Sequence, residues 1–138
     1  MTRRLGVVLV DYSKQRHSAS AKRDLPEKSN GKFVQIRNQR QEYLVISPGE
    51  VAVYHANIVE RFCKERGLDG SYDNARRRFT IHDPAWLITG GGRCDIDTTK
   101  KRIRFYGESM AYGRFDSRGF KEKVLSLAEF ANYRMTIE

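Results

Sequence analysis

The sequence predicts a single α+β domain in which two main helices pack on a mixed β-sheet. Its 138 residues, 39% of them apolar, suit one domain with one hydrophobic core. Short β-rich runs recur along the chain and are typical of strands. Two other segments have apolar residues at helical spacing. We therefore expect one domain over residues 1–138.

The first third of the chain contains a strand, a polar segment and a hairpin. Leu5 to Val10 is a short apolar run that predicts a strand. Residues 12–31 are rich in Ser and Lys and are interrupted by proline and glycine, which indicates a polar loop or linker. Lys32 to Arg37 and Glu42 to Ile46 are β-rich and separated by a polar stretch, so they predict a hairpin.

A change of periodicity places His55 at a junction between two elements. Glu50 to His55 alternates as a strand does, with His55 on the same face as two valines. From Asn57 to Arg66 the apolar residues fall at helical spacing, and Gly67 supplies a helix end. We therefore expect His55 to lie where a strand ends and a helix begins.

The second half begins with an irregular, basic segment. Residues 68–84 predict no regular element and contain the cluster Arg76 to Arg78. Three consecutive glycines, Gly90 to Gly92, permit a tight turn or close approach of another backbone. Arg93 to Asp97 and Arg102 to Tyr106 then predict a second hairpin.

The C-terminal part predicts a loop, a helix and a last strand. The loop Gly107 to Gly113 leads to a helix near Ser117 to Phe130, and alternation from Tyr133 to Ile137 indicates a strand. The apolar stripe of that helix consists of Phe120, Val124, Leu127 and Ala128. A strand, a short loop and a helix thus occur twice, so the two loops are candidates for one shared site.

The excess of basic side chains points to acidic partners. The chain has 26 Lys and Arg against 17 Asp and Glu, a formal charge of +9 that attracts phosphorylated proteins, nucleic acid or acidic lipid. Charge alone does not choose among them. No apolar stretch approaches the roughly 20 residues of a membrane-spanning helix, so we expect no membrane partner.

Cysteine usage indicates the compartment. Cys63 and Cys94 have no C-x-x-C spacing and too few partners for a disulfide framework, which favours a reducing compartment and a cytoplasmic protein. Residues 1–23 are basic and contain several serines, so an organellar location such as the mitochondrion is the alternative. We expect a monomer.

Phosphate chemistry is the function that the loops and the histidine suggest. N–H groups at a helix start bind anions, and the small residues of Gly107 to Gly113 allow close approach to the backbone. His55 can transfer a proton or attack phosphorus, although a hydrogen-bonded structural histidine is the alternative. His17 and His82 lie in polar segments and predict solvated side chains. Three dispersed histidines without ligand spacing predict no metal site.

Several motifs resemble the small phosphohistidine phosphatases, also called the Janus or Janus/Ocnus family. They are V-Y-H-A-N-I at Val53, G-G-G-R at Gly90, K-K-R-I-R-F at Lys100 and Y-G-E-S-M-A-Y-G at Tyr106, with G-K-F-V-Q-I-R at Gly31. The resemblance covers most of residues 31–125. The combination of Y-H-A with S-M-A-Y-G is the specific part, much stronger than any lone glycine motif.

The resemblance implies a phosphohistidine phosphatase-like fold and hydrolysis of phosphohistidine in proteins without a metal or other cofactor. His55 matches the catalytic histidine of the family. The resemblance also implies a set of phosphate- or substrate-binding positions, of which Lys32 ranks above Arg93. These positions are Lys32, Ala56, Arg93, Ser109, Met110 and Ala111. The period-two pattern independently places Lys32 on the face of Val34 and Ile36.

Two departures from the family bear on substrate preference. The family often has an arginine eight positions before the catalytic histidine, where this chain has Ser47. Residues 68–88 also form a longer and more basic insertion. Arg114 is a candidate to supply the missing positive charge, and a solvated side chain is the favoured alternative.

Two other function classes remain open. One is a non-catalytic basic module that binds phosphopeptides in the same pocket, or RNA through Arg76 to Arg78 and Lys100 to Arg104. Nucleic acid is the less favoured partner, because the paired aromatic residues of common RNA-binding sheets are missing from the sequence. The other is a scaffold subunit that has the fold without the activity.

Overall fold

Six strands form one mixed sheet in the computed structural model, which describes residues 6–12, 28–48 and 54–138. The strands of this sheet are β1 (Val7–Asp11), β2 (Lys28–Arg37), β3 (Glu42–Pro48), β6 (Leu87–Asp97), β7 (Arg102–Tyr106) and β8 (Arg134–Ile137). The other elements are α1 (His55–Arg66), the two-stranded sheet β4 (Gly70–Tyr72) and β5 (Phe79–Ile81), α2 (Phe120–Leu125) and a 3₁₀ turn (Ala128–Phe130).

The strand order is β1-β3-β2-β6-β7-β8, and two hairpins build its centre. The predicted hairpins, β2 with β3 and β6 with β7, are both confirmed as antiparallel pairs, and β2 pairs with β6 between them. Asn38 and Asp97 turn the chain, because each side-chain oxygen accepts two N–H groups from the residues that follow. Strands β1 and β8 form the two opposite edges of the sheet, where β1 is parallel to β3 and β8 is parallel to β7.

Alternation along the central strands creates two separate apolar faces. Val34 and Ile36 point to the face that α1 covers with Ile58 and Phe62. The opposite face is covered by α2 and is dominated by aromatic rings. Phe33, Phe105, Phe115 and Phe120 pack there with ring centroids 4.7–5.9 Å apart. The α+β prediction, a mixed sheet with two helices packed on it, is confirmed.

The three glycines lie inside strand β6 and form no turn. A Cβ atom on Gly91 would lie 2.6 Å from the main-chain oxygen of Phe33, and one on Gly92 would lie 2.6 Å from that of Tyr106. Neighbouring strands therefore approach too closely for any side chain. Of the two predicted reasons for the glycines, close backbone approach is the one that applies.

Two further predictions differ from the structure in the second half. Residues 68–84 contain the β4–β5 hairpin, because Phe79 and Ile81 alternate inward and join the α1 core. The predicted helix near Ser117 to Phe130 is only α2 and a separate 3₁₀ turn. Leu127 between them is extended, with φ −71° and ψ 135°, and Ala128 of the predicted stripe is exposed.

The N-terminal predictions are corrected at their ends. Tyr12 is fully buried and donates a 2.7 Å hydrogen bond to Glu65, so it belongs to the core. Strand β2 begins at Lys28, four residues earlier than predicted, and residues 13–27 of the predicted linker lie outside the described residues. Residues 50–53 of the predicted strand before His55 lie outside them too. No helix in the described part of the chain is long and apolar enough to cross a bilayer.

Candidate active site

His55 is the first residue of α1, as the change of periodicity indicated, although the helix starts two residues earlier than predicted. Tyr54 is the extended N-cap, and its N–H donates to the side-chain oxygen of Asn57 at 2.9 Å. The N–H groups of His55 and Ala56 belong to the first turn, where no intrahelical acceptor is available. Within residues 6–12, 28–48 and 54–138, these two N–H groups have no acceptor, and they lie beside the imidazole.

One nitrogen of the His55 imidazole is held by a hydrogen bond, and the other has no hydrogen-bond partner among the described residues. The residue is 9% exposed, and its Nε2 atom lies 2.8 Å from the main-chain oxygen of Gly92. A carbonyl oxygen can only accept a hydrogen bond, so Nε2 carries the ring proton. The lone pair is consequently on Nδ1, which is the atom able to accept a proton or form a bond to phosphorus.

The surroundings of His55 keep its ring neutral near pH 7. Burial lowers the pKa of His55 below its ordinary value of 6.5, and the charges of Lys32 and Arg93 lower it further. The hydrogen bond to Gly92 raises the pKa, but its effect is smaller than that of burial. A neutral ring is the form that a general base or a nucleophile requires.

Lys32 and Arg93 face each other across β2 and β6. Lys32 and Arg93 are directly opposite each other in the antiparallel pairing, so their side chains lie on the same face of the sheet. Lys32 shares that face with Val34, as predicted. Burial, and then the charge of Arg93, lower the pKa of Lys32. Neither cation has an acidic partner within residues 6–12, 28–48 and 54–138. Two uncompensated positive charges thus lie beside His55.

Ser47 lies on the other side of Lys32 from Arg93. It pairs with Lys32 across β2 and β3, is 1% exposed, and its hydroxyl oxygen lies 3.4 Å from the main-chain oxygen of Pro48. A short neutral side chain therefore occupies the position at which the family often has arginine.

The loop Gly107 to Gly113 closes on itself through Ser109. The N–H of Ser109 donates to the oxygen of Gly113 at 3.2 Å, and the N–H of Gly113 donates back at 2.8 Å. The Ser109 hydroxyl also accepts the N–H of Tyr112 at 3.1 Å. The N–H and the hydroxyl of Ser109 are therefore engaged inside the loop, and its predicted role in phosphate binding stays a prediction. The N–H groups of Met110 and Ala111 have no acceptor among the described residues.

Gly91 joins this loop to the histidine. Its N–H donates to the oxygen of Gly113 at 3.1 Å, and a Cβ atom on it would lie 3.1 Å from Cδ2 of His55. The end of the loop and the imidazole consequently lie against the same residue of β6. Two exposed apolar side chains belong to the two segments: Tyr54 is 60% exposed and Met110 is 99% exposed.

Arg114, the candidate for the missing positive charge, is held by two main-chain oxygens. Its guanidinium donates to the main-chain oxygens of Gly107 at 2.8 Å and Glu138 at 2.6 Å. It therefore fastens the start of the loop to the C-terminal end of the chain. Arg114 is exposed, as the favoured expectation had it, and these two acceptors hold its guanidinium in place.

Sequence reasoning missed the acceptor for His55 and the contacts of the basic insertion. The motif G-G-G-R indicated close backbone approach but not which element approaches. His82, predicted as solvated, is exposed and pairs with Ser71 at 2.9 Å, and His17 lies outside the described residues. The described residues contain no group of three or more His, Cys, Asp or Glu side chains able to hold a metal ion.

Comparison with known proteins identifies the family. The model of the Janus/Ocnus family (Ocnus) matches residues 21–134. The chain is also 26% identical over 108 residues to the sex-regulated protein janus-B of Drosophila pseudoobscura pseudoobscura, a match that covers 76% of each chain. The family match spans well over half of the sequence, and so the chain belongs to the Janus/Ocnus family.

Proposed function

We propose that this protein is a phosphohistidine phosphatase that hydrolyses the phosphoramidate bond of phosphorylated proteins without a metal. The observation that carries the proposal is the placement of His55: its Nε2 is bonded to Gly92, its Nδ1 has no hydrogen bond within the described residues, and the cations Lys32 and Arg93 lie beside it. A base or nucleophile next to uncompensated positive charge suits a phosphoryl group, which is anionic and electrophilic.

Binding of the phosphoryl group needs donors and positive charge. The N–H groups of His55 and Ala56 supply the partial positive charge of a helix N-terminus, and those of Met110 and Ala111 add donors from the loop. Lys32 supplies a full positive charge, and Arg93 adds a second. Phosphoryl transfer has a loose transition state with charge on the equatorial oxygens, so fixed donors of this kind stabilise it.

Two routes to hydrolysis use the same nitrogen. As a general base, Nδ1 of His55 takes a proton from water while the water oxygen forms the new bond to phosphorus. As a nucleophile, Nδ1 forms that bond itself, and water cleaves the phosphorylated ring in a second step. In both, the P–N bond of the substrate breaks, its electron pair stays on the substrate imidazole, and that nitrogen is protonated.

A turnover assay on a phosphohistidine protein tests the proposal. We expect hydrolysis by the wild type in EDTA, and a loss of about 100-fold or more in His55→Ala. Far-ultraviolet circular dichroism and a thermal melt of the variant check that the fold is kept. Wild-type turnover by a correctly folded His55→Ala would contradict the assignment, as would a requirement for added metal. A phosphorylated intermediate trapped on His55 would select the nucleophilic route.

The competing proposal is a module that binds phosphopeptides without hydrolysis. It is favoured by Ser47, because the site lacks the charge that the family often has there. RNA binding through Lys100 to Arg104 is less supported, since Arg104 forms ion pairs with Asp95 and Glu138. Tight phosphopeptide binding with no turnover would select the module. Loss of stability outside a complex would select the scaffold subunit.

A reducing, cytoplasmic location is part of the proposal. Cys63 and Cys94 are both free and buried. Burial raises the pKa of Cys63 to about 11 and also raises that of Cys94, so neither thiol is reactive at neutral pH. Unreactive, unpaired thiols suit a compartment in which disulfides do not form.

A further inference from the structure

The β4–β5 hairpin, which belongs to the basic insertion, is attached to the first turn of α1. The hydroxyl of Tyr72 accepts a hydrogen bond from the side-chain nitrogen of Asn57 at 3.2 Å and donates to Glu60 at 2.8 Å. Asn57 lies two residues after His55 and also caps the N–H of Tyr54. The hairpin is therefore anchored to the segment that carries the candidate catalytic residue.

The same hairpin is also attached to the loop Gly107 to Gly113. The hydroxyl of Tyr112 donates to the oxygen of Phe79 at 2.6 Å and accepts the N–H of Phe79 at 2.9 Å. The guanidinium of Arg78 donates to the oxygen of Ala111 at 3.2 Å. The insertion thus contacts both segments of the candidate site, and one of its two contacts with the loop is made by an arginine.

Three arginines form a basic turn at the tip of this hairpin, Arg76, Arg77 and Arg78. All three are exposed. Arg76 lies over the ring of Tyr72 at 4.4 Å, and Arg78 is held by Ala111. The guanidinium of Arg77 has no partner in the part of the chain that the structure describes.

The single acid of the turn does not cancel this charge. The carboxylate of Asp73 accepts the main-chain N–H groups of Arg77 at 2.8 Å and Arg78 at 3.3 Å, which shapes the turn. One carboxylate against three guanidinium groups leaves a positive surface directly beside the candidate phosphate loop. Charge of this kind selects partners and speeds their encounter.

We propose that the basic turn binds acidic residues next to the phosphohistidine of a protein substrate. This inference rests on the proposed function and adds a substrate class, phosphohistidine proteins with Asp or Glu flanking the modified residue. A peptide fits better than RNA because the hairpin offers no free aromatic surface for stacked bases. Phe79 is 6% exposed, and the ring of Tyr72 contacts both the ring of Phe79 and the guanidinium of Arg76.

Two phosphohistidine peptides of equal length test the inference, one with flanking Asp and Glu and one with Asn and Gln in their place. We expect the wild type to favour the acidic peptide by about tenfold in kcat/KM, mainly through KM. Arg77→Glu should abolish that preference. Lys121→Glu is the matched control, because Lys121 is an exposed cation on α2, on the opposite face of the sheet, and should keep the preference.

The outcomes separate this inference from the proposed function. Equal kcat/KM for the two peptides in the wild type, or an unchanged preference in Arg77→Glu, overturns the inference and leaves the phosphatase intact. If neither peptide is hydrolysed, the phosphatase fails, and fluorescence anisotropy with phosphonate analogues of the same peptides measures the preference in binding. Tighter binding of single-stranded RNA than of the acidic peptide, lost in Arg77→Glu, would also overturn it.

Discussion

The Nε2 atom of His55 donates to the main-chain oxygen of Gly92 across 2.8 Å, and this bond determines which nitrogen of the ring is available. A residue without a side chain thus sets the tautomer of the candidate catalytic residue. Because the acceptor is a main-chain oxygen of strand β6, it would be present with any residue at position 92. The strand needs glycine there for another reason, since a Cβ atom would meet Tyr106, Phe115 and Phe33.

Activity is predicted to be lost on the acidic side of an apparent pKa below 6.5. Burial lowers the pKa of His55, so the active neutral ring predominates at pH 7 and is protonated only at lower pH. Activity should be constant from pH 8 to pH 7 and fall as the pH drops through the His55 pKa. The pH dependence of kcat/KM and an NMR titration of the free protein measure this. A His55 pKa above 6.5 would contradict the proposed environment.

Removing the charge of Lys32 should raise the pKa of His55. In Lys32→Met the repulsion between Lys32 and protonated His55 disappears, so the NMR titration should shift to higher pH. Lys121→Met removes a cation from the opposite face of the sheet and should leave the titration where it is. Identical titrations in the two variants would show that Lys32 exerts no field at the ring.

Alternation and spacing predicted much of this site, because they report which face a side chain occupies. The period-two pattern placed Lys32 with Val34, and the change to helical spacing placed His55 at the start of α1. The register between β2 and β6 could not be predicted, and it is the register that sets Arg93 opposite Lys32. The three glycines predicted that another backbone approaches closely, but no local pattern indicates which strand approaches or in which register.

The main-chain hydrogen-bond partners of the site residues were the other feature that could not be predicted from the sequence. The acceptor for His55, the donors that engage Ser109 and the carbonyls that hold Arg114 are all backbone atoms. Every residue carries the same backbone groups, so composition and periodicity do not distinguish them. The interpretation of residues 68–84 as irregular failed for a related reason, since three-residue strands are too short to show alternation.

Gly91→Ala should destabilise the protein and displace the imidazole. The added Cβ would lie 2.6 Å from the oxygen of Phe33 and 3.1 Å from the ring of His55, so the strands or the ring must move. We expect a loss of about 2 kcal/mol in the free energy of unfolding, measured in urea, and a fall of about tenfold or more in kcat/KM. Gly6→Ala is the control, because a Cβ there has nothing within 4 Å. Equal stability of the two variants would refute the close contact.

Arg114→Ala should loosen the loop without weakening phosphate binding. The variant loses the hydrogen bonds to Gly107 and Glu138, which at an exposed position contribute about 1 kcal/mol. Hydrogen exchange of the amides of residues 107–113 should become faster, while the inhibition constant of inorganic phosphate changes less than about twofold. A tenfold weaker inhibition with unchanged exchange would instead show that the guanidinium acts on the phosphate.

Tyr112→Phe should detach the β4–β5 hairpin from the loop. The change removes one hydroxyl that both accepts from and donates to Phe79, and it leaves a part-buried main-chain N–H and C=O unpaired, at a cost of about 1–3 kcal/mol. Tyr133→Phe is the matched control, because the Tyr133 hydroxyl has no hydrogen bond within the described residues. Hydrogen exchange of residues 70–81 should accelerate only in Tyr112→Phe.

Since Arg78 of this hairpin also contacts Ala111, the same variant should reduce any preference for acidic peptides. Unaltered exchange together with an unaltered preference would mean that the other contacts of the hairpin hold it in place without the Tyr112 hydroxyl.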